Sequence, residues 1–427
     1  MFDDTALPSL TVAISVQEWD NLLAAYDKDS NTREYFRCNT VTLDKDGASV
    51  SSRDAGLRLR GNTSRRRPEG SRGQKHDASH PDWHHAHFGI HMRKFNEDGS
   101  ISGIRRINLK YAKEDPTYVR EHFCFDMLQR YGIWTAPRTS WCKLYIKVGD
   151  SAPAYFGVYL MMESIDHQYV KRRPEFGNPD GFLWKCTWGA NLRDRDDWRF
   201  HLDDNSSKKY TYCLKSDSAF DFTFAREQLK NFINKLNNLR GDEFVVWITS
   251  HCDVDLLLKM YASFVALGHW DDYWNNMNNY YLYFDSQNNS DYKVYMLPYD
   301  LDNTLGTTKN CGVQSDAGRQ DPYRWGIGEC PLISKILEVE EFRTIYTGYL
   351  RELSDLSNPY TGVEPAMERI KLWQDALSPY IANDTGEDME IKDRPASWGN
   401  HSEYRITTDG SSNWFRVKCE SLKGWIR

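Results

Sequence analysis

The hydrophobic patterning predicts an α+β fold, strand-rich in its first half and mainly helical in its second. Three observations carry this reading. Up to about residue 215, apolar residues alternate with polar ones in short runs punctuated by Gly, Asn and Asp. From 221 to 268, and again over 332–353 and 362–377, apolar residues recur at helical spacing. Between these helical stretches lies a Tyr-rich pair of strands, flanked on both sides by Asp and Asn clusters.

In chain order, PSLTVAIS opens as a strand, and VQEWDNLLAAY follows as a helix with Trp19, Leu22 and Tyr26 on one face. YFRCNTVTL and DAGLRLRGNTS read as strands, the second ending in a Gly-Asn turn. Residues 65–84 carry basic groups and turn formers with almost no apolar content, which predicts an exposed loop. HFGIHMRKF and IRRINLKY return to alternation, so the layout predicts an antiparallel meander. A helix is expected over 116–130, with Pro116 in its first turn and Val119, Phe123 and Met127 along one side. SWCKLYIKV and AYFGVYLMMES are strands; 174–217, rich in Asp, Gly, Asn and Lys, reads as a lid or inserted substrate loop holding one short strand, GFLWKC. Beyond the Tyr-rich hairpin come a loop to about 330, the later helices, and a tail expected to close with a strand and a helix. With no repeat or long linker, the chain reads as one unit. Its core spans 1–330, divided into a strand-rich lobe over about 8–215 and a helical lobe over about 216–330, and 331–427 forms a helical extension.

Composition narrows the function. A net charge of -7 argues against a broadly basic nucleic-acid binder, and no apolar run is long enough for a membrane span. Nine cysteines are scattered without a CxxC pair, against a zinc ribbon or finger. GxSxG, GxGxxG and GxxxxGK[ST] are all absent. HPDWHHAH gathers histidines that would suit a transition metal, and paired carboxylates with abundant aromatics would suit carbohydrate chemistry.

The stretch 269–306 holds the most concentrated chemistry. Asp271, Asp272, Asn275, Asn276, Asn278 and Asn279 follow an apolar run, and Asp300 and Asp302 follow VYMLPY. Such groups suit a hard cation or a phosphate, and an Asx-rich turn is the plainer account of Asp300 and Asp302. On an extended segment these two aspartates would face opposite sides, so a turn after Tyr299 is needed if both are to meet one metal. His269-Trp270-Asp271 with Asn276 has the H-x-D-x-x-x-x-N spacing of a protein-kinase catalytic loop, and two strands then lead to an Asp-containing turn, as in that chemistry. Asp271 is thereby the candidate base, Asn276 or Asn279 and Asp300 or Asp302 the candidate metal ligands. Cations for phosphates are available in the first half: Arg60 before the Gly61-Asn62 turn, Lys94, and Lys110 closing IRRINLK. Glu163, ending an apolar strand, needs a cationic partner such as Lys110 or Lys185.

The segments LRLRGNTS, INLKY, YVREHFCFDMLQRYGI, YFGVYLMMESID, GFLWK, DDYWNNMNNYYLYF and VYMLPYDLDNTLG resemble, in sequence order, those of the CotH kinases. The resemblance spans most of 57–306 and fades past about 330. It implies a distant protein-kinase-like fold and an atypical kinase, secreted or surface-associated, that uses ATP with Mg²⁺ or Mn²⁺ to phosphorylate Ser or Thr of a protein partner. A leader would then be absent from this sequence, and a cytoplasmic location is the alternative. The resemblance places the catalytic aspartate at Asp271. It favours Asn279 over Asn276 as the amide, and Asp300, with Asp302 beside it, as the metal-binding aspartate. Arg60, Lys110, Glu163 and Lys185 fall in the nucleotide-facing half. Histidines stand where the family carries a Lys-Lys strand, which leaves Lys94, Lys110 and Lys75 as candidates for the phosphate-binding lysine. The alternatives are a non-catalytic surface or structural protein on a degenerate scaffold and a carbohydrate-active protein.

Overall fold

Alternating apolar residues in the first half bury one face of each strand, and seven strands close on themselves to do so. The computed structural model describes residues 1–195, 199–202, 210–215, 219–307, 316–326, 330–387, 390–396 and 402–426. β1 (Ser9–Ile14), β2 (Phe36–Lys45), β3 (Ala48–Leu59), β4 (Phe88–His91), β5 (Arg106–Tyr111), β6 (Thr139–Val148) and β7 (Ala154–Glu163) form a closed barrel in the order β1-β2-β3-β4-β5-β7-β6. The expected meander accounts for β1 to β5. Closure comes from a parallel pairing of β1 with β6, in which Leu10 lies beside Leu144, and it leaves no free edge. Inside, Leu10, Val12, Cys38, Val41, Leu57, Leu109, Leu144 and Phe156 form one core with Trp19 and Leu22 of α1 (Val16–Lys28).

The loop over 65–84 is tied down rather than free. Trp83 is buried; Glu69 accepts from Trp19 Nε1 at 2.7 Å and faces His76 Nδ1 at 3.0 Å, and Arg67 meets Asp27 at 3.0 Å. Apart from Trp83, polar side chains supply the anchors here, a signal that hydrophobic patterning does not carry.

α2 (Arg120–Arg130) leaves the barrel and joins a second, larger core. Its helix starts four residues later than Pro116 suggests, because Asp115 accepts hydrogen bonds from the Thr117 backbone N–H and hydroxyl and holds a turn before it. After the short α3 (His167–Lys171), β8 (Phe182–Cys186), β9 (Phe200–Leu202) and β10 (Tyr212–Leu214) form a second sheet with β11 (Tyr280–Phe284) and β12 (Val294–Pro298), ordered β12-β11-β8-β10-β9. A lobe boundary near 215 therefore cuts through a sheet: β8 pairs along its whole length with β11, Lys185 opposite Tyr281. Much of the expected lid over 174–217 is this sheet, and its 196–198, 203–209 and 216–217 lie outside the described residues.

Helices α4 (Ala219–Asn238), α5 (Gly241–His251) and α6 (Val254–Leu267) pack against this sheet, and the one-turn α7 (Tyr273–Asn276) follows. α8 (Pro331–Glu338), α9 (Glu340–Leu353), α10 (Val363–Leu377) and α11 (Trp414–Trp425) complete the same core. The tail ends in α11, and its expected strand reduces to a bridge between Arg405 and Asn413. The result is a mixed α+β protein with a strand-rich first half and helices gathered in the second.

One glycine fixes the entry to the second half's polar loop. Gly268 caps α6 in the left-handed region at φ 67°, and a Cβ there would lie 2.4 Å from the Trp414 ring of α11. Trp414 Nε1 donates to Ala266 O at 3.3 Å, so α11 seats the end of α6 directly.

Candidate functional site

β5 and α2 bring together a buried ion pair. Lys110, near the end of β5, has its ammonium 2.6 Å from Glu121 in the first turn of α2, with both side chains more than nine-tenths buried. The same ammonium meets the carboxylate of Asp300 and lies 3.6 Å from Asp302. Asp300 adopts φ 58°, in the left-handed region where a non-glycine residue is strained. That bend is the turn after Tyr299 which allows Asp300 and Asp302 to approach one centre. Arg120 fastens the turn to α2, its Nη1 donating to Thr304 O at 3.1 Å and Leu305 O at 2.9 Å.

Carboxylate oxygens of Glu121, Asp300 and Asp302 all lie within 4.8 Å of one another, the one such convergence of three His, Cys, Asp or Glu groups among the described residues. Their charges are unequal. Burial opposes ionisation of Asp300, but Lys110, then Arg60 and Lys185, hold its carboxyl well below the usual range. Burial, with Asp300 as the like charge, raises Glu121 against the pull of Lys110. Loss of surrounding water to the protein, with Asp300, Glu121 and Asp271 as like charges, raises Asp302 against the pull of Lys110, and its side chain is half exposed at the rim. A cation would relieve this repulsion, and the all-oxygen donor set suits a hard divalent ion. Nearby, Asn303 Oδ1 is a buried polar atom without a hydrogen-bond partner, and the Asn303 amide donates to Asp271 at 3.3 Å.

Asp271 sits in a ring of amides. Asn276, Asn278 and Asn279 donate to its carboxylate at 2.6, 3.1 and 2.8 Å, and Asn279 also donates to its backbone oxygen at 3.1 Å. Burial nevertheless raises its pKa, with Asp300 adding to the shift against the amides. Asn279 reaches this position through φ 53°, a second left-handed residue in the site. Asp272 instead caps α7, accepting from Asn275 N at 2.7 Å. His269 of the H-x-D spacing is fully buried, packs on Phe264 and is pushed down to about 4 by burial, a neutral core residue.

Two further predicted cations converge here. Arg60 donates from Nη2 to the Tyr299 hydroxyl; burial works against its charge, yet Tyr299 and Asp300 hold it above the usual arginine range. Lys185 lies 5.2 Å from the centre of the Tyr299 ring and is pushed down to about 7, by burial first and then by Arg33, Lys215 and Arg60.

Lys94 and Glu163 are placed elsewhere. Lys94 follows the far end of β4, its ammonium over the Tyr35 ring at 5.5 Å, and Lys75 is exposed in the anchored loop. Glu163 on β7 pairs with Ile107 on the neighbouring β5, whereas Lys110 pairs with Leu160, so strand register keeps the two apart. Its partners are Arg138 at 2.6 Å and Arg173 at 2.7 Å, not Lys110 or Lys185. The carboxylate that does meet Lys110, Glu121, lies off the apolar stripe by which its helix is legible. The clustered histidines also separate: His85 and His87 stack on Tyr111, while His84 faces Asp82 and Glu387.

Fold and site together define an α+β protein whose barrel and helical half meet at a lysine-bridged acidic cluster beside an amide-bound aspartate. The chain belongs to the CotH kinase protein family, whose model matches residues 57–427. The match extends through the helices past 330, where the resemblance of the sequence segments fades. The chain is 24% identical over 322 residues to inner spore coat protein H of Bacillus subtilis (strain 168), covering 72% of this chain and 80% of that protein. It is 25% identical over 235 residues to invasin CotH2 of Rhizopus delemar, covering 55% of this chain and 36% of the relative. Spore coat protein homolog 1 of the same fungus matches at 25% over 202 residues, 46% of this chain and 30% of the relative. The chain thus spans about a third of the length of each fungal relative.

Proposed function

We propose that this protein is an atypical kinase that transfers the γ-phosphate of ATP to Ser or Thr of a protein substrate with Mg²⁺ or Mn²⁺. The observation that carries the reading is Lys110 held between Glu121 and Asp300. A strand-borne lysine paired to a helical glutamate, beside a metal-binding aspartate and a separate Asp/Asn loop, is the working arrangement of protein kinases, and it supports a distant kinase-like fold. Asp300 and Asp302 would hold the metal, with the side-chain oxygen of Asn279 or Asn276 as a further ligand; the ion would neutralise phosphate charge when bound. Lys110, Arg60 and Lys185 bind and orient the phosphates. Asp271, kept in place by its amide ring, accepts the proton of the acceptor hydroxyl. Lys94 and Glu163 take no part.

A secreted or surface location accords with the relatives' names, which describe coat and invasin proteins. Those names also favour a second reading, a non-catalytic surface protein on the same scaffold. Radiolabel transfer from γ-labelled ATP to the protein itself or to a generic acceptor tests both. Incorporation by the wild type that is lost in Asp271→Ala and Asp300→Ala is the expected result. Equal incorporation by all three, or none by any, would overturn the kinase reading.

A further inference from the structure

Beyond the end of β5 remote from Lys110, a cavity of about 530 Å³ is lined by Phe2, Ile104, Trp134, Arg138, Arg172 and Arg173, with the Arg138 guanidinium 5.4 Å from the Phe2 ring centre. Four residues of β5, ~13 Å of strand, separate Arg106 at this end from Lys110 at the other. Its volume falls in the range of small-molecule sites.

The arginines are set in place before any ligand arrives. Glu163, 3% exposed, lies beneath them and takes one Nη2 from each of Arg138 and Arg173, together with the Arg138 backbone N–H at 3.0 Å. Arg173 also donates to Trp134 O at 3.2 Å and Ala136 O at 3.3 Å, and its guanidinium lies 3.6 Å from the Tyr169 ring centre. Arg172 donates to Gly103 O. Glu163 is thus engaged by two guanidiniums beneath the lining, and the acidic group in the lining itself is Glu175, exposed. Arg172 holds its proton less tightly than a free arginine: burial is the largest cause, and Arg138 and Arg105 add to it against Glu163 and Asp166. Arg138, Arg172 and Arg173 outnumber Glu163 and Glu175 around the cavity, which leaves it net positive.

We propose that this cavity binds a phosphate monoester, its dianion against Arg138 and Arg172 and its body against Trp134 and Ile104. Guanidinium forks match phosphate oxygens in pairs, and the indole provides a flat apolar wall. The chemistry is shared by a free phosphorylated metabolite and a phosphorylated side chain of a polypeptide. It stands whether or not the cluster at Lys110 transfers phosphate.

Calorimetric titration of the full chain with phenyl phosphate, a phosphoserine heptapeptide and its unphosphorylated twin tests the site. Binding by phenyl phosphate alone points to a free metabolite, and binding by the phosphopeptide to a polypeptide. In either case Arg172→Glu is expected to weaken binding at least tenfold. Glu175→Gln should tighten it a few-fold, a gain that misfolding cannot imitate. Lys185→Ala, beside Tyr299 and outside this lining, should leave binding at the cavity unchanged. Loss of binding in Lys185→Ala with none in Arg172→Glu would assign the anion to the cluster at Lys110 and overturn the proposal, as would equal binding of the unphosphorylated peptide or no binding at all. If Arg172→Glu does not fold, as judged by its melting curve, Arg172→Leu and the gain in Glu175→Gln decide the matter.

Discussion

Lys110 on β5 and Glu121 on α2 form a salt bridge of 2.6 Å, with side chains 7% and 9% exposed, and through it the barrel grips the helical half. Removing one partner of a buried pair leaves an uncompensated charge and typically costs about 3–5 kcal/mol. Lys110→Met is therefore expected to lower the unfolding free energy by roughly that amount, because it exposes Glu121, Asp300 and Asp302 to one another. Millimolar Mg²⁺ should restore more stability to this variant than to the wild type. Chemical denaturation with and without Mg²⁺ measures both, and an equal metal response in the two proteins would count against a cation site here.

The convergence of three carboxylates within 4.8 Å sets a second expectation. A divalent ion that binds only the folded chain at a hundred times its dissociation constant adds about 2.7 kcal/mol. Melting temperature should rise with Mn²⁺ or Mg²⁺ in the wild type, and Asp300→Asn should abolish the rise. Asp302→Asn, at the half-exposed rim, should reduce it. A rise that survives Asp300→Asn would place the ion elsewhere.

Asp271 is held by Asn276, Asn278 and Asn279 rather than by the Lys110 ion pair, so its loss should separate binding from turnover. Asp271→Asn is expected to keep nucleotide affinity within a few-fold while lowering the phosphate-transfer rate by about 10²–10⁴. Equilibrium binding of ATP, measured beside the rate of label transfer, reports the two quantities independently.

Asp272, buried and pushed up to about 8 mainly by that burial, gives a pH dependence with a definite sign. A carboxyl whose native pKa exceeds its unfolded value holds the proton more tightly when folded. Its contribution is full below the unfolded value near 3.8 and is lost as pH rises toward about 8, beyond which the loss levels off. Asp272→Asn retains an oxygen for the Asn275 N–H and does not titrate. Its melting temperature should fall less than that of the wild type between pH 5 and pH 8, as followed by circular dichroism.

The polar loop was legible in the sequence because Asp271, Asp300 and Asp302 stand at the ends of strongly apolar elements, where carboxylates need a reason to be. Lys110 was legible for the same cause. Glu121 was not, because its helix announces itself through Val119, Phe123 and Met127, and a glutamate off that stripe looks like ordinary solvent-facing charge. Glu163 stands out in the sequence as a lone acid ending an apolar strand, yet its partners Arg138 and Arg173 come from the loop before β6 and the segment after α3. Only strand register, Ile107 against Glu163 and Leu160 against Lys110, separates those alternatives. Barrel closure likewise depends on a parallel pairing of β1 and β6, elements distant in sequence, which local alternation cannot reveal.

The Trp414 ring beneath Gly268 bears on how the molecule comes into being. The end of α6, from which Asp271 follows, rests on a side chain translated long after it. A nascent chain still short of α11 would have its barrel complete while the polar loop lacked its seat, so any activity would arrive late in synthesis. Chains ended before Trp414 are expected to retain the barrel's β-sheet dichroism while losing metal-dependent stabilisation.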